Sequence, residues 1–130
     1  MKKVYPKVKK LINRSLADAK NRGCEKVKIE HLIIAIIDDG NNEGTKYLKR
    51  LNINLEKLNS LIELKIGVNR GLESSKIKVK NISLDKETEK IIENAESECE
   101  KLGEEYVNTH HIVLSLLKEN NFRISIHVIE

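Results

Sequence analysis

Apolar positions at the start of the chain recur at the spacing of an amphipathic helix. The first stripe consists of Leu11, Ile12, Ser15 and Ala19. These positions share one face of a helix, and Pro6 suits its first turn, where the backbone needs no amide hydrogen. An apolar block follows at residues 32–37 and is ended by Asp38, Asp39 and Gly40. This second pattern predicts a short buried helix.

Two further helices are predicted before a break in the pattern. The apolar positions within residues 47–51 indicate a third helix that ends near Asn52, a residue that tolerates a left-handed backbone. Asn54 can cap a fourth helix. The apolar positions of that fourth helix are Leu55, Leu58, Leu61, Ile62 and Ile66. Glycines and serines then indicate a linker over residues 67–81, in which alternation at residues 77–79 predicts a short extended piece.

The chain repeats itself at an offset of 80 residues. Identical residues at this offset are Lys10 and Lys90, Ile12 and Ile92, Gly23 and Gly103, Glu25 and Glu105, Val27 and Val107, His31 and His111, and Asn41 and Asn121. The apolar block at residues 32–37 recurs at residues 112–117 with its chemistry largely kept. A duplication of this kind predicts two copies of one helical unit.

Composition indicates one globular domain in a reducing compartment. A chain of 130 residues with 39% hydrophobic and 34% charged residues can form a single core. No apolar stretch approaches the roughly 20 residues of a membrane span, and no signal-peptide core follows the lysine-rich start. Cys24 and Cys99 lie outside any metal-binding spacing, so we expect two reduced thiols, no membrane association and a cytoplasmic location.

The net charge of +4 conceals an uneven distribution. Residues 1–80 contain 19 Lys and Arg against 9 Asp and Glu, a balance of +10, whereas residues 81–130 contain 5 against 11, a balance of −6. A basic face can attract nucleic acid. The aromatic side chains available for base stacking are only Tyr5, Tyr47, Tyr106 and Phe122. Nucleic-acid binding is therefore an unfavoured alternative, and solvated lysines are the commoner explanation.

The adjacent His110 and His111 raise the question of a metal site or a catalytic base. Only His111 has a histidine counterpart in the first copy, His31. Further ligands could come from His127 or Glu105, but their spacings match no familiar zinc pattern, so no metal site is predicted. We expect both repeated histidines to pack and hydrogen-bond between helices. The sequence contains no GxxxxGK[ST], GxSxG or HExxH motif, which argues against an enzyme.

Each copy presents its features in the same order: a helix ending in glycine, a histidine, six mostly apolar residues, a break and a short helix. Gly23 precedes His31 by eight residues, as Gly103 precedes His111. In these features the chain resembles the Clp N-terminal repeat, the substrate-receptor domain of ClpC- and ClpA-type AAA+ unfoldases. The segment LIIAIIDDGNNEGTKYL fits the family's second-to-third helix stretch throughout.

The resemblance implies an all-α fold of two tandem four-helix repeats related by pseudo-twofold symmetry. One domain over residues 1–130 would contain a first repeat at about 4–66, a linker at about 67–82 and a second repeat at about 83–130. The second repeat is incomplete at its C-terminus. We therefore expect the chain to be an N-terminal fragment of a longer unfoldase or a truncated gene product.

The resemblance also implies a noncatalytic receptor that binds adaptor proteins and protein substrates. It would deliver them to ATPase rings, which bind ATP and magnesium and are absent here, and to a Clp peptidase that acts with the full-length parent. This chain would then need no cofactor. A stand-alone adaptor or decoy built from this domain alone is an alternative.

Some members of the family recognise phosphorylated arginine through the Glu of a Thr-Glu-His helix start. That motif is Ile29-Glu30-His31 in the first repeat and Thr109-His110-His111 in the second, so neither copy is complete. The candidate binding residues are Glu30, Lys28, Thr109 and His110, with Gly23, Gly103, His31 and His111 as structural residues. A carboxylate in a first helical turn is also favoured by the helix dipole alone, so both interpretations of Glu30 stay open.

Overall fold

The computed structural model describes residues 3–70 and 82–129. Within them the helices are α1 (Pro6–Asn21), α2 (Ile29–Asp39), α3 (Glu43–Arg50), α4 (Leu55–Arg70), α5 (Lys86–Lys101), α6 (Thr109–Leu117) and α7 (Asn120–Ile129). The short strands are β1 (Lys3–Val4), β2 (Lys26–Val27), β3 (Ser83–Leu84) and β4 (Tyr106–Val107). The all-α prediction is confirmed. Among the described helices none is both long and apolar enough to cross a membrane.

The elements of the two repeats correspond through the predicted offset. Helices α1 and α5 match residue for residue at 80 positions, and so do strands β1 and β3. Each strand pairs in parallel with a strand of the opposite repeat, β1 with β4 and β2 with β3. Because the two pairs exchange partners in the same way, they place the repeats about a pseudo-twofold axis.

The core is built from equivalent positions of both repeats. The residues predicted to be equivalent and buried are Ser15 and Ala95, Ala19 and Cys99, Leu32 and Ile112, and Ile36 and Leu116, and all of them are at most 2% exposed. The helices α2 and α6, which carry the apolar blocks, therefore lie at the centre. Burial of their side chains is the main source of stability, since each buried aliphatic side chain contributes about 1.5–3 kcal/mol.

The predicted helix ends are confirmed with one exception. Gly40 and Asn52 have φ angles of 69° and 61°, the left-handed conformation that each break requires. The Asn54 carboxamide oxygen accepts the amide hydrogen of Lys57 and so caps α4. The predicted linker start at residue 67 is wrong, because α4 continues to Arg70. A glycine costs a helix only about 1 kcal/mol, less than the packed face before it provides.

The remainder of the predicted linker, including the extended piece at residues 77–79, lies outside the described residues.

Candidate functional site

The helices α2 and α6 begin with the same side-chain contact. The backbone N–H of Lys28 donates to Nδ1 of His31 at 2.9 Å, and that of Asn108 donates to Nδ1 of His111 at 2.8 Å. Both rings are buried. Burial lowers the pKa of His31, and burial together with the neighbouring His110 lowers the pKa of His111. Each ring is therefore a neutral link between its helix and the preceding loop.

The loops before these helices begin at the two repeated glycines. Gly23 and Gly103 follow α1 and α5 with φ angles of 76° and 68°. In both copies the next amide hydrogen returns to the helix, from Cys24 to the oxygen of Ala19 and from Glu104 to that of Cys99. These turns direct the chain into β2 and β4 and so set where α2 and α6 start.

At the start of α2, Glu30 faces a small cavity. This cavity has a volume of about 40 Å³ and is lined by Ile29, Glu30, Ile33, Ile62, Lys65, Glu87 and Phe122. Lys28, the residue at the N-cap, is half-buried and does not line it. We refer to this feature as the Glu30 cavity. It brings together side chains from α2, α4, α5 and α7, and sequence patterns gave no signal for Lys65, Glu87 or Phe122.

The start of α6 is occupied differently. Thr109 is fully buried, and its hydroxyl oxygen accepts the amide hydrogen of Gly44 at 2.8 Å. A Cβ atom added at Gly44 would lie 3.0 Å from Cγ2 of Val113 and 3.1 Å from the carbonyl oxygen of Thr109. The prediction that Thr109 binds a ligand is therefore wrong, because the close approach of α3 takes up its hydroxyl.

His110 joins a cluster with His111 and Glu104. The two rings lie 4.0 Å apart by their centroids, and Nε2 of His110 is 3.3 Å from a carboxylate oxygen of Glu104. Nε2 of His111 is 3.0 Å from the same carboxylate oxygen. The potential ligand atoms of the three residues lie within 4.8 Å of one another. The carboxylate predicted beside the pair was Glu105, and the structure places Glu104 there instead.

The protonation of His111 argues against a metal ion in this cluster. A neutral imidazole carries its proton on one nitrogen and accepts with the other. Nδ1 of His111 accepts the Asn108 amide hydrogen, so Nε2 carries the proton and has no lone pair for a metal. Only Glu104 and His110 then remain as ligands in the cluster, too few for the four-coordinate zinc of structural sites.

We expect calorimetric titration with zinc to show no tight, stoichiometric binding. The reason is the tautomer of His111, which is fixed by a backbone contact inside the fold. The His110→Ala variant is the matched control and should give the same titration as the wild type. Sub-micromolar binding in the wild type that is lost in His110→Ala would contradict this prediction.

Comparison with known proteins gives one family. The chain matches the model of the Clp repeat (R) N-terminal domain over residues 3–126. The negative regulator of genetic competence ClpC/MecB of Bacillus subtilis is 30% identical over 113 residues, which are 87% of this chain and 13% of that protein. Chaperone protein ClpB of Oceanobacillus iheyensis is 27% identical over the same share of each chain. The chain thus spans about 13% of the length of these relatives.

Solved structures show the same fold at lower identity. The Hsp104 N-terminal domain of Candida albicans superposes with a TM-score of 0.78 at 16% identity, covering 98% of this chain and 81% of that one. A ClpV N-domain solved as a complex with a VipB peptide gives a TM-score of 0.75 at 15% identity, covering 98% and 79%. On the family match and the repeated helical fold, the chain belongs to the Clp N-terminal repeat domain family.

Proposed function

We propose that this chain is a noncatalytic receptor domain that binds adaptor proteins and protein substrates for a Clp-type unfoldase. The parent protein would carry the ATPase rings with their ATP and magnesium, work in the cytoplasm and pass substrates to a Clp peptidase. Family membership supports this role, and so does the ClpV N-domain complex, because that domain of the same fold holds a VipB peptide.

The observation that carries the proposal is the Glu30 cavity. It lies at the start of α2, where one carboxylate borders the apolar side chains of Ile29 and Ile33. A partner side chain could fill the cavity while its backbone rests on the surrounding surface, which is how buried anchor residues contribute to protein interfaces. The second repeat supports no equivalent contact, since Thr109 is buried against Gly44.

A direct test is the binding of fluorescently labelled casein, a protein without a stable fold, measured by anisotropy. We expect the wild-type chain to bind, and Glu30→Ala to bind at least several-fold more weakly because one charge-assisted hydrogen bond is lost. The control His110→Ala should bind like the wild type. Failure of the wild type to bind casein or any other unfolded protein would contradict the receptor role.

Free phosphoarginine provides a narrower test of the same site. We expect at most one molecule per chain, because only Glu30 offers a carboxylate at a repeated helix start and position 110 is a histidine. Ile29 lacks the hydroxyl of the family motif, so binding should be weak, with Lys28 adding a positive charge for the phosphate nearby. Calorimetry should show that Glu30→Ala abolishes the binding and His110→Ala preserves it. A stoichiometry of two would show that the site had been assigned wrongly.

A further inference from the structure

We propose that the Glu30 cavity binds the side chain of an unmodified arginine from a partner protein, whose guanidinium is held between the carboxylates of Glu30 and Glu87. This inference rests on the receptor function proposed above and specifies the partner side chain that the receptor recognises.

The charges around the cavity favour a cation. Glu30 comes from α2 and Glu87 from the first turn of α5, and Lys65 on α4 is the one basic residue among the lining side chains. Among residues 3–70 and 82–129, the ion pairs do not include Glu30 or Glu87. Burial raises the pKa of Glu87, and the negative charges of Glu119, Asp85 and Glu30 raise it further. A bound cation would relieve this repulsion.

The size and walls of the cavity fit the end of an arginine side chain. A volume of about 40 Å³ holds roughly three water-sized groups. A guanidinium is a planar group of one carbon and three nitrogens, and its donors point in fixed directions that suit two carboxylates. The buried side chains of Ile29, Ile33, Ile62 and Phe122 supply apolar walls for the aliphatic stem. Such a stem packs on apolar surface while its charged end stays at polar groups.

The same charges disfavour a phosphorylated arginine. A phosphate adds about two negative charges to the ligand and brings them close to two carboxylates. Lys65 supplies one positive charge in the lining against the two negative charges of Glu30 and Glu87. The unmodified side chain should therefore bind more tightly than the phosphorylated one, although both would use Glu30.

The site occurs once in the chain because the repeat offset changes its charged residues and its neighbours. At this offset Glu30 corresponds to His110, and Glu87 corresponds to Lys7. Val113, the counterpart of Ile33, lies against Gly44 of α3, which closes the equivalent space. The first repeat alone combines two carboxylates with an open cavity.

The test is a titration of the ¹⁵N-labelled chain with N-acetyl-arginine amide, followed by NMR chemical shifts. We expect shifts centred on residues 29–33 and on Glu87. N-acetyl-citrulline amide, which has the same shape without the charge, should bind about tenfold more weakly or less. Glu87→Gln should weaken arginine binding about tenfold, as expected for loss of a charge-assisted hydrogen bond. Glu89→Gln removes an exposed charge from the same helical turn and should leave binding unchanged.

Three results would overturn the inference: equal binding of citrulline, wild-type binding in Glu87→Gln, or tighter binding of N-acetyl-phosphoarginine amide than of the arginine compound. Casein separates this failure from that of the receptor function. Binding of casein without any response to arginine would overturn the arginine site and leave the receptor role standing. A response to arginine that depends on Glu87, without binding of casein, would support the arginine site and contradict the receptor role.

Discussion

Replacing Leu32 by alanine is expected to lower the free energy of unfolding by about 2–5 kcal/mol. Leu32 lies on α2 and is fully buried, within the core cluster that both repeats share. The substitution removes buried apolar atoms and leaves a cavity that the packed helices around it can only partly close. Urea denaturation followed by circular dichroism measures the change.

Leu64→Ala is the matched control for Leu32→Ala. Leu64 lies on α4 and its side chain is 66% exposed, so the same deletion should change the free energy of unfolding by no more than about 0.5 kcal/mol. Similar losses at the two positions would show that α2 is not the buried centre of the fold.

Replacing Ala19 by leucine is expected to lower the free energy of unfolding by about 1–3 kcal/mol through overpacking. Ala19 is fully buried and packs with Cys24 and Val27, where α1 meets the glycine turn and β2. A larger side chain has no room there without displacing these neighbours. Thermal or urea denaturation would detect the loss.

Ala17→Leu controls for the helical preference of the new side chain. Ala17 lies on the exposed face of the same helix, so the substitution adds the same atoms without overpacking and should change stability little. A melting temperature that Ala19→Leu leaves unchanged would contradict the position of the stripe on the core side of α1.

Features that depend on local chemistry could be predicted from the sequence. The stripe containing Ser15 and Ala19 determined which face of α1 is buried, because side chains three and four positions apart lie on one side of any helix. Gly40 and Asn52 determined where helices end, because few residues accept the left-handed backbone. The offset of 80 residues determined that α5 and α6 repeat α1 and α2. The all-α fold follows from these signals together.

Contacts between elements distant in sequence were decided only by the tertiary structure. The exchanged pairing of β1 with β4 and of β2 with β3 involves strands of two residues, which are too short to carry an alternating pattern. Thr109 became unavailable through the approach of Gly44, 65 positions earlier in the chain.

The Glu30 cavity depends in the same way on non-local packing. The sequence determined Glu30 as a candidate, because it stands at a repeated helix start. Glu87 and Phe122 reach the cavity from α5 and α7, and neither carries a local signal for that position. Side-chain periodicity specifies the face on which a residue lies, whereas the packing of whole helices decides which faces meet and what space remains between them.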